Sequence, residues 1–190
     1  LKCLDCVLEF NGGEMSIDSS TFKNNLAFFG IGGGIGVHKG ELKMTNSQLD
    51  SNLAFWGGAI MSVDAFLDID SAHFFSDSAY VGGAIFSISS NLGFLEDPQF
   101  SPPQLMGMTF IRNSTFLSNW SEEVGGALMN VDIDLSVDGN IFKANESVAA
   151  GGAIFGEYGA LTSTNNLFSG NYSGDGGAIT IVGDIGVDPI

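Results

Sequence analysis

Gly82-Gly83-Ala84-Ile85 is one copy of a four-residue motif that occurs six times in this chain. The motif begins at residues 32, 57, 82, 125, 151 and 176, at intervals of 25, 25, 43, 26 and 25. A fixed period of about 25 residues indicates a repeat architecture, in which each repeat buries its apolar side chains against its neighbours. The other copies are Gly32-Gly33-Gly34-Ile35, Gly57-Gly58-Ala59-Ile60, Gly125-Gly126-Ala127-Leu128, Gly151-Gly152-Ala153-Ile154 and Gly176-Gly177-Ala178-Ile179.

A second pattern lies between the motifs, an aromatic residue or leucine followed three positions later by asparagine or aspartate. The pairs are Phe22 and Asn25, Leu49 and Asn52, Phe74 and Asp77, Phe116 and Asn119, Phe142 and Asn145, and Phe168 and Asn171. Mostly apolar residues stand seven and five positions before each pair, and this period of two is typical of a half-buried strand. No segment keeps a period of 3.6 residues over three turns, so the pattern predicts an all-β chain.

We therefore predict a right-handed parallel β-helix, or β-solenoid, with about six coils of about 25 residues. Each repeat would supply two or three short strands that pair with their equivalents about 4.8 Å away in the next coil. Parallel crossovers are right-handed in nearly all proteins. A leucine-rich repeat has an overlapping period and is the alternative, but it needs more leucine and usually a helix. Residues 1–190 are expected to form a single solenoid segment.

The repeated positions predict where side chains lie. The glycine pair is expected to allow positive φ and close backbone approach, and the phenylalanines to stack inside the coils. Buried side-chain amides need hydrogen-bond partners, which equivalent amides in neighbouring coils can supply. We therefore predict an amide ladder, with aspartate in one coil, formed by Asn25, Asn52, Asn119, Asn145 and Asn171.

One interval breaks the period, because 43 residues separate Gly82 from Gly125. The extra residues fall in segment 89–108, which contains three of the four prolines. Proline cannot donate to a strand ladder, so this segment is predicted to leave the solenoid as a loop. It either contacts a partner through apolar side chains or folds back over the solenoid. The candidates for partner contact are Phe94, Leu95, Phe100 and Leu105.

Four Asn-x-Ser/Thr sequons occur, at Asn113, Asn119, Asn145 and Asn171. Three of these asparagines are predicted ladder residues, and a buried ladder amide cannot carry a glycan. Asn113 is therefore the one glycosylation candidate.

Composition limits the classes of partner. The chain has 22 acidic and 6 basic residues, a net charge of −16. This charge repels nucleic acid and anionic membrane surfaces. No apolar run reaches the ~18 residues of a membrane-spanning helix. Cys3 and Cys6 have no second Cys or His pair for zinc, so they are interpreted as a local disulfide or two free thiols.

No catalytic residue, metal site or cofactor is predicted, because the acidic residues and the few lysines are scattered over several coils. Asp64, Asp68 and Asp70 could share one face, but the glycine-rich calcium repeat signature is missing. Arg112 stands at the equivalent position to Asp70 and Asp138 of the flanking coils. It is expected to pair with both carboxylates.

The combination of Gly-Gly-Ala-Ile/Leu with Phe-x-x-Asn resembles the repeat of the chlamydial polymorphic membrane proteins. Gly34, Leu49 and Asp77 depart from that pattern. The resemblance implies the β-helical passenger region of an autotransporter-like adhesin, displayed at the outer membrane or cell surface. The expected function is thus non-catalytic attachment to a host-cell or surface receptor, or to another extracellular protein. The alternatives are a building block of an extracellular filament or sheath, with end-to-end self-association, and a polysaccharide-active β-helix enzyme.

Overall fold

A computed structural model of the chain describes residues 8–89 and 107–183. All regular elements in these ranges are β-strands, so the described residues include no helix that could cross a membrane. The strands are β1 (Leu8–Asp18), β2 (Thr21–Lys23), β3 (Leu26–Ile31), β4 (Ile35–Thr45), β5 (Gln48–Asp50), β6 (Leu53–Trp56), β7 (Ile60–Val63), β8 (Phe66–Asp70), β9 (His73–Phe75), β10 (Ser78–Ala79), β11 (Ile85–Ile88), β12 (Met108–Arg112), β13 (Thr115–Leu117), β14 (Trp120–Ser121), β15 (Leu128–Val131), β16 (Asp134–Asp138), β17 (Ile141–Lys143), β18 (Glu146–Ser147), β19 (Ile154–Glu157), β20 (Leu161–Thr164), β21 (Leu167–Ser169) and β22 (Ile179–Val182).

Parallel pairing arranges these strands in four stacks, each of which runs from coil to coil. Stack I holds β7, β11, β15, β19 and β22, and stack II holds β8, β12, β16 and β20. The long strands β1 and β4 belong to both, so the two stacks form one 11-stranded sheet. Stack III is β2, β5, β9, β13, β17 and β21, and stack IV is β3, β6, β10, β14 and β18.

This arrangement confirms the predicted parallel β-solenoid. Equivalent ladder residues in adjacent coils are 25 to 27 positions apart, except across the insertion. A leucine-rich repeat is ruled out for the described residues, since each coil is built of strands alone. The coils run through four stacks, whereas two or three strands per repeat were expected. Stack IV is shortest, with two residues per strand in three coils, too few for an alternation to be visible in the sequence.

The glycine pairs form the corner that leads from stack IV into stack I. The first glycine has positive φ, for example 59° at Gly57 and 63° at Gly82. The second glycine is required by space, because a Cβ at Gly58 would lie 2.1 Å from the carbonyl oxygen of Gly83 in the next coil. Any side chain here would push neighbouring coils apart, which explains why the pair recurs in every coil.

The lumen between the stacks is filled by apolar side chains. Ala59, Ala84, Ala127 and Ala153 are completely buried just inside the glycine corner. The rings of Phe74, Phe116, Phe142 and Phe168 form a continuous stack, with centroid separations of 4.6 to 4.9 Å. Each stacked pair contributes about 0.5–1.5 kcal/mol beyond its burial. The coils are therefore locked together from inside as well as along their strands.

The insertion lies at the corner between stacks I and II, between β11 and β12. Residues 90–106 are outside the described residues, and so are the partner-contact candidates Phe94, Leu95, Phe100 and Leu105. Both flanks are in place: the Ser89 amide donates to the Val131 carbonyl at 3.0 Å, and Met108 pairs with Asp134. Met108 is already a strand residue in register with Asp134, so the predicted loop 89–108 overlaps the solenoid at that end.

Candidate functional site

The predicted ladder asparagines lie in one line at the corner between stacks III and IV. The Asn145 side chain shows the pattern: its Nδ2 donates to Asn171 Oδ1 at 2.9 Å and to the carbonyl oxygen of Phe116 at 3.1 Å. Its Oδ1 accepts from the backbone amide and Nδ2 of Asn119, at 3.1 and 2.9 Å. Each amide is thus bonded to both neighbouring coils. The same contact joins Asn25 to Asn52 at 2.8 Å.

Asp77 interrupts this ladder in the third coil, when the coils are counted from the one that contains Asn25. Its Oδ1 accepts from the backbone amide and Nδ2 of Asn52, at 2.8 and 2.9 Å. Its Oδ2 stands where the other coils have a donating nitrogen, and it is buried without a hydrogen-bond partner. Burial raises the pKa of Asp77 to about 7, against the hydrogen bonds from Asn52, which lower it. A proton on this carboxyl would supply the missing donor at this point of the ladder.

A second ladder, which the sequence analysis did not predict, lies at the corner between stacks II and III. Asn140 Nδ2 donates to Asn166 Oδ1 at 3.1 Å and to the carbonyl of Ile111 at 2.9 Å. In the preceding coils a serine hydroxyl takes over, and the Ala72 amide donates to Ser114 Oγ at 3.0 Å. The only sequence signal is the position two residues before the phenylalanine column, which is polar in all coils but one and varies in type: Ser20, Ser47, Ala72, Ser114, Asn140 and Asn166.

Acidic residues alternate with donors along the outer edge of stack II. Thr45 Oγ1 donates to Asp18 and Thr164 Oγ1 to Asp138, both at 2.6 Å. These hydrogen bonds are the main reason why the pKa values of both aspartates are lowered. Arg112 occupies the donor position of this column between Asp70 and Asp138. The alternation keeps carboxylates of this column two coils apart, which limits their repulsion in a chain of this charge.

The ion pairs of Arg112 differ from the expected ones. Its guanidinium contacts Asp68, and its Nε lies 3.7 Å from Asp70 Oδ2, so both ionic partners belong to the preceding coil. Asp138 is in register with Arg112 but accepts hydrogen bonds from Thr164 and its neighbour instead. The expectation is therefore correct for Asp70, whereas Asp138 forms no close ion pair with Arg112, although the guanidinium helps to lower the pKa of that carboxyl. The second ionic partner is instead Asp68, which lies two residues before Asp70 on the same strand.

The four sequon asparagines differ in exposure, and Asn171, at the end of the ladder, is half-buried. Asn113 is exposed at the corner between stacks II and III, and its Nδ2 donates to Asp70 Oδ1 at 3.1 Å. This hydrogen bond uses one of the two N–H groups of the Asn113 side-chain amide. The other N–H is the one that a glycan would replace. Asn119 and Asn145 are completely buried. The serine of the Asn119 sequon also has a structural role, because Ser121 Oγ donates to the Val124 carbonyl at 2.7 Å.

An exposed group of aromatic residues lies on the outer side of stack IV and its following corner. We call Phe55, Trp56, Tyr80 and Trp120 the aromatic strip. The Phe55 and Tyr80 rings are stacked with centroids 4.9 Å apart, and Trp56 meets Phe55 edge-on at 5.2 Å. Phe55, Trp56 and Trp120 are 44%, 40% and 39% exposed. Tyr80 Oη donates to Glu123 Oε1 at 2.6 Å, which fixes the ring at the acidic end of the strip.

Other chemistry-bearing residues do not converge. His38 is in stack I and His73 in stack III, in different coils. Among residues 8–89 and 107–183, no three His, Cys, Asp or Glu side chains are placed to hold a metal ion. Cys3 and Cys6 lie outside the described residues.

What remains as candidate functional surface is the aromatic strip, the acidic edge of stack II with Asn113, and the outer side of stack I. The chain matches no protein-family model, no curated protein and no solved structure.

Proposed function

We propose that this chain is a non-catalytic segment of an extracellular surface protein and mediates attachment, with the aromatic strip as its contact surface. The observation that carries the proposal is the exposure of Phe55, Trp56 and Trp120 on one side of the solenoid. The stacked phenylalanine column, in contrast, lies inside the coils. Contiguous exposed apolar surface of this kind marks interaction sites in soluble proteins. The resemblance of the repeat to a family of surface adhesins supports the extracellular location.

The strip has the composition of a protein-binding hot spot. Tryptophan and tyrosine are enriched among residues that dominate binding energy, because they bury a large area at a small cost in side-chain entropy. The strands beneath the strip are held by parallel pairing to the coils on either side. A partner therefore meets a surface that needs little ordering on binding, which favours affinity.

Charge indicates the chemistry of the partner. Glu122 and Glu123 border the strip in the fourth coil, Glu146 follows in the fifth, and the whole chain carries a net charge of −16. A basic protein surface complements this arrangement, whereas acidic glycans and nucleic acids do not. We therefore propose a receptor or other extracellular protein that presents basic residues around an apolar patch.

Binding of the fluorescently labelled chain to cultured animal cells, measured by flow cytometry, tests this function. The double variant Trp56→Ser, Trp120→Ser should bind at least tenfold more weakly, and binding should weaken as salt is raised. Tyr158→Asn is the matched control, since Tyr158 is 50% exposed but lies at the corner between stacks I and II. Full binding by the double variant would refute the role of the strip. Binding that survives protease treatment of the cells would refute a protein partner.

The filament and enzyme alternatives stay predictions with their own assays. A filament block should self-associate end to end, which sedimentation velocity over a concentration series detects. A polysaccharide-active enzyme should release reducing ends or unsaturated products from acidic polysaccharides. Either result, without binding to cells, would replace attachment as the function.

A further inference from the structure

The sequons at Asn119 and Asn145 lie in the asparagine ladder, where the folded chain uses both N–H groups of each side-chain amide. Asn119 Nδ2 donates to the Phe74 carbonyl oxygen at 3.2 Å and to Asn145 Oδ1 at 2.9 Å. Asn145 Nδ2 makes the equivalent pair of bonds, to the Phe116 carbonyl oxygen and to Asn171 Oδ1. Both residues are completely buried. The fold therefore leaves neither an N–H nor space for a sugar at these two nitrogens.

The serines that complete these two sequons are also part of the interior. Ser121 Oγ donates to the Val124 carbonyl oxygen at 2.7 Å, and Ser147 Oγ donates to that of Ala150 at 2.9 Å. Both serines are completely buried. The residue in register with Ser121 in the preceding coil is Ala79, so alanine fits this inward position as well. The hydroxyl is thus a local hydrogen-bond donor that a coil can form without.

The sequon at Asn113 differs in each of these respects. Asn113 is exposed at the corner between stacks II and III, outside the ladder, and its Nδ2 donates only to Asp70 Oδ1 among the described residues. Asn46 occupies the same corner position two coils earlier, is also exposed and donates to Asp18 in the same way. It lacks a sequon because Gln48 stands two positions later. A sugar at this corner extends into solvent without displacing a neighbouring coil.

We propose that N-glycosylation and folding exclude each other at Asn119 and Asn145, so that a sugar added there before folding keeps the chain unfolded. The modification joins Nδ2 to C1 of an oligosaccharide carried on a lipid pyrophosphate. The bond between C1 and the phosphate oxygen breaks, the lipid pyrophosphate leaves, and the amide gives one proton to the transferase. The modified nitrogen keeps one N–H, whereas the ladder uses two, and the sugar would need the place of the adjacent coil. A glycan at Asn113 meets neither conflict.

This competition concerns the route to the extracellular location proposed above, and its biological consequence rests on that location. In the eukaryotic secretory pathway, sugar is transferred to a chain as it enters, before distant segments have paired. Ladder neighbours are 26 positions apart, so the amides of Asn119 and Asn145 become protected only after a further coil has formed. We therefore expect the natural chain to be exported by cells that do not transfer such sugars before folding. The test below measures secretion and sugar occupancy, so its outcome is separate from that of the cell-binding assay.

Secretion from cultured human cells, with the chain behind a cleavable signal peptide, tests the proposal. The triple variant Ser121→Ala, Ser147→Ala, Ser173→Ala removes the three ladder sequons and keeps the asparagines. We expect it to be secreted roughly tenfold more than wild type, because misfolded chains are retained and degraded. Mass spectrometry should find sugar at Asn113 in the secreted variant and on ladder asparagines in the retained wild type. Equal secretion of folded wild type, with or without sugar in the ladder, would overturn the proposal.

Production of both proteins in bacteria that lack the transferase separates the effect of sugar from that of stability. Ser121→Ala and Ser147→Ala each remove a donor to a backbone carbonyl, so the triple variant should be no more stable than wild type in urea. Its better secretion from human cells then does not come from a more stable fold. A triple variant that unfolds at higher urea concentration than wild type would assign the difference to stability and overturn the proposal.

Two single additions to the triple variant give a matched comparison of sites. Ala54→Ser creates a sequon at Asn52, a completely buried ladder residue whose side-chain nitrogen already makes two hydrogen bonds. Gln48→Thr creates one at Asn46, on the exposed corner. We expect Ala54→Ser to return secretion to the low wild-type level and Gln48→Thr to leave it high, with sugar at Asn46. Normal secretion of the Ala54→Ser protein, or an equal loss in both, would overturn the proposal.

Discussion

The two halves of the asparagine ladder differ in one atom. In the fourth to sixth coils, Asn119, Asn145 and Asn171 form an unbroken row in which each Nδ2 donates to the next Oδ1. Before the insertion, the row runs from Asn25 through Asn52 to Asp77, whose Oδ2 has no partner. The amide row is complete at any pH, whereas the row that ends in Asp77 needs a proton to be complete. The solenoid thus depends on donors at this corner as well as on strand pairing.

Transplanting the defect into the amide half should have the largest effect. Asn145→Asp places a carboxyl between Asn119 and Asn171, in a site that is completely buried. If its pKa rises to about 7, as that of Asp77 does, the variant should lose roughly 4 kcal/mol of unfolding free energy at pH 8. The loss should largely disappear near pH 4. Urea unfolding followed by tryptophan fluorescence measures both values, and an equal loss at both pH values would argue against titration.

Removing the amide altogether should cost less. Asn145→Ala deletes the donor to Asn171 and Phe116 and leaves their acceptors unpaired in the interior. We expect a loss of about 1–3 kcal/mol that does not depend on pH between 5 and 8. The same urea titration measures it. No change in the unfolding midpoint would mean that the row contributes nothing to stability.

The second ladder should respond more weakly, because it uses hydroxyls in several coils. Ser114→Ala removes the acceptor for the Ala72 amide and a donor to the Arg112 carbonyl. The expected loss is about 0.5–1.5 kcal/mol. Ser118→Ala, at an exposed corner position, is the control for general effects of the substitution. Equal midpoints for Ser114→Ala and wild type would remove the second ladder from the account.

The smallest effect is expected on the surface. Arg112→Gln removes the contacts with Asp68 and Asp70 and should cost about 0.2–1 kcal/mol, less at high salt. Unfolding curves in 50 mM and 500 mM NaCl measure this difference. A loss that does not change with salt would assign Arg112 a packing role.

How much the sequence revealed follows from how regular each feature is. The glycine pairs and the Phe-x-x-Asn spacing recur in every coil with few substitutions, so they were sufficient to predict the solenoid. The second ladder escaped because its column mixes Ser, Ala and Asn, and a side chain that varies this much looks like ordinary surface. Only the folded structure shows that the side chains of Ser114 and Asn140 both accept a backbone N–H from the neighbouring coil.

The outer faces could not be ranked from sequence for a different reason. Phe75 and Phe86 both occupy outward strand positions, yet one is exposed and the other is buried. Strand alternation places both side chains outward but does not encode how far each is covered. The same limit applies to Asp77: its place in the ladder was visible, but the raised pKa follows from burial and from an oxygen that has no donor.

The pH dependence of stability in wild type and Asp77→Asn is the most direct test of the ladder. Asp77 has its pKa raised from 3.8 in the unfolded chain to about 7, so the folded state binds the proton more tightly. Its contribution is therefore complete below about pH 4 and is lost as the pH rises to 7. Asp50, the charged neighbour that contributes to the shift, is unchanged in the variant, so the difference between the two proteins isolates Asp77.

Asp77→Asn should be about as stable as wild type at pH 4 and more stable by roughly 4 kcal/mol at pH 8, with the gap opening between these values. Urea unfolding at half-unit intervals of pH gives both curves. Parallel curves, or a variant less stable than wild type at pH 8, would contradict the account.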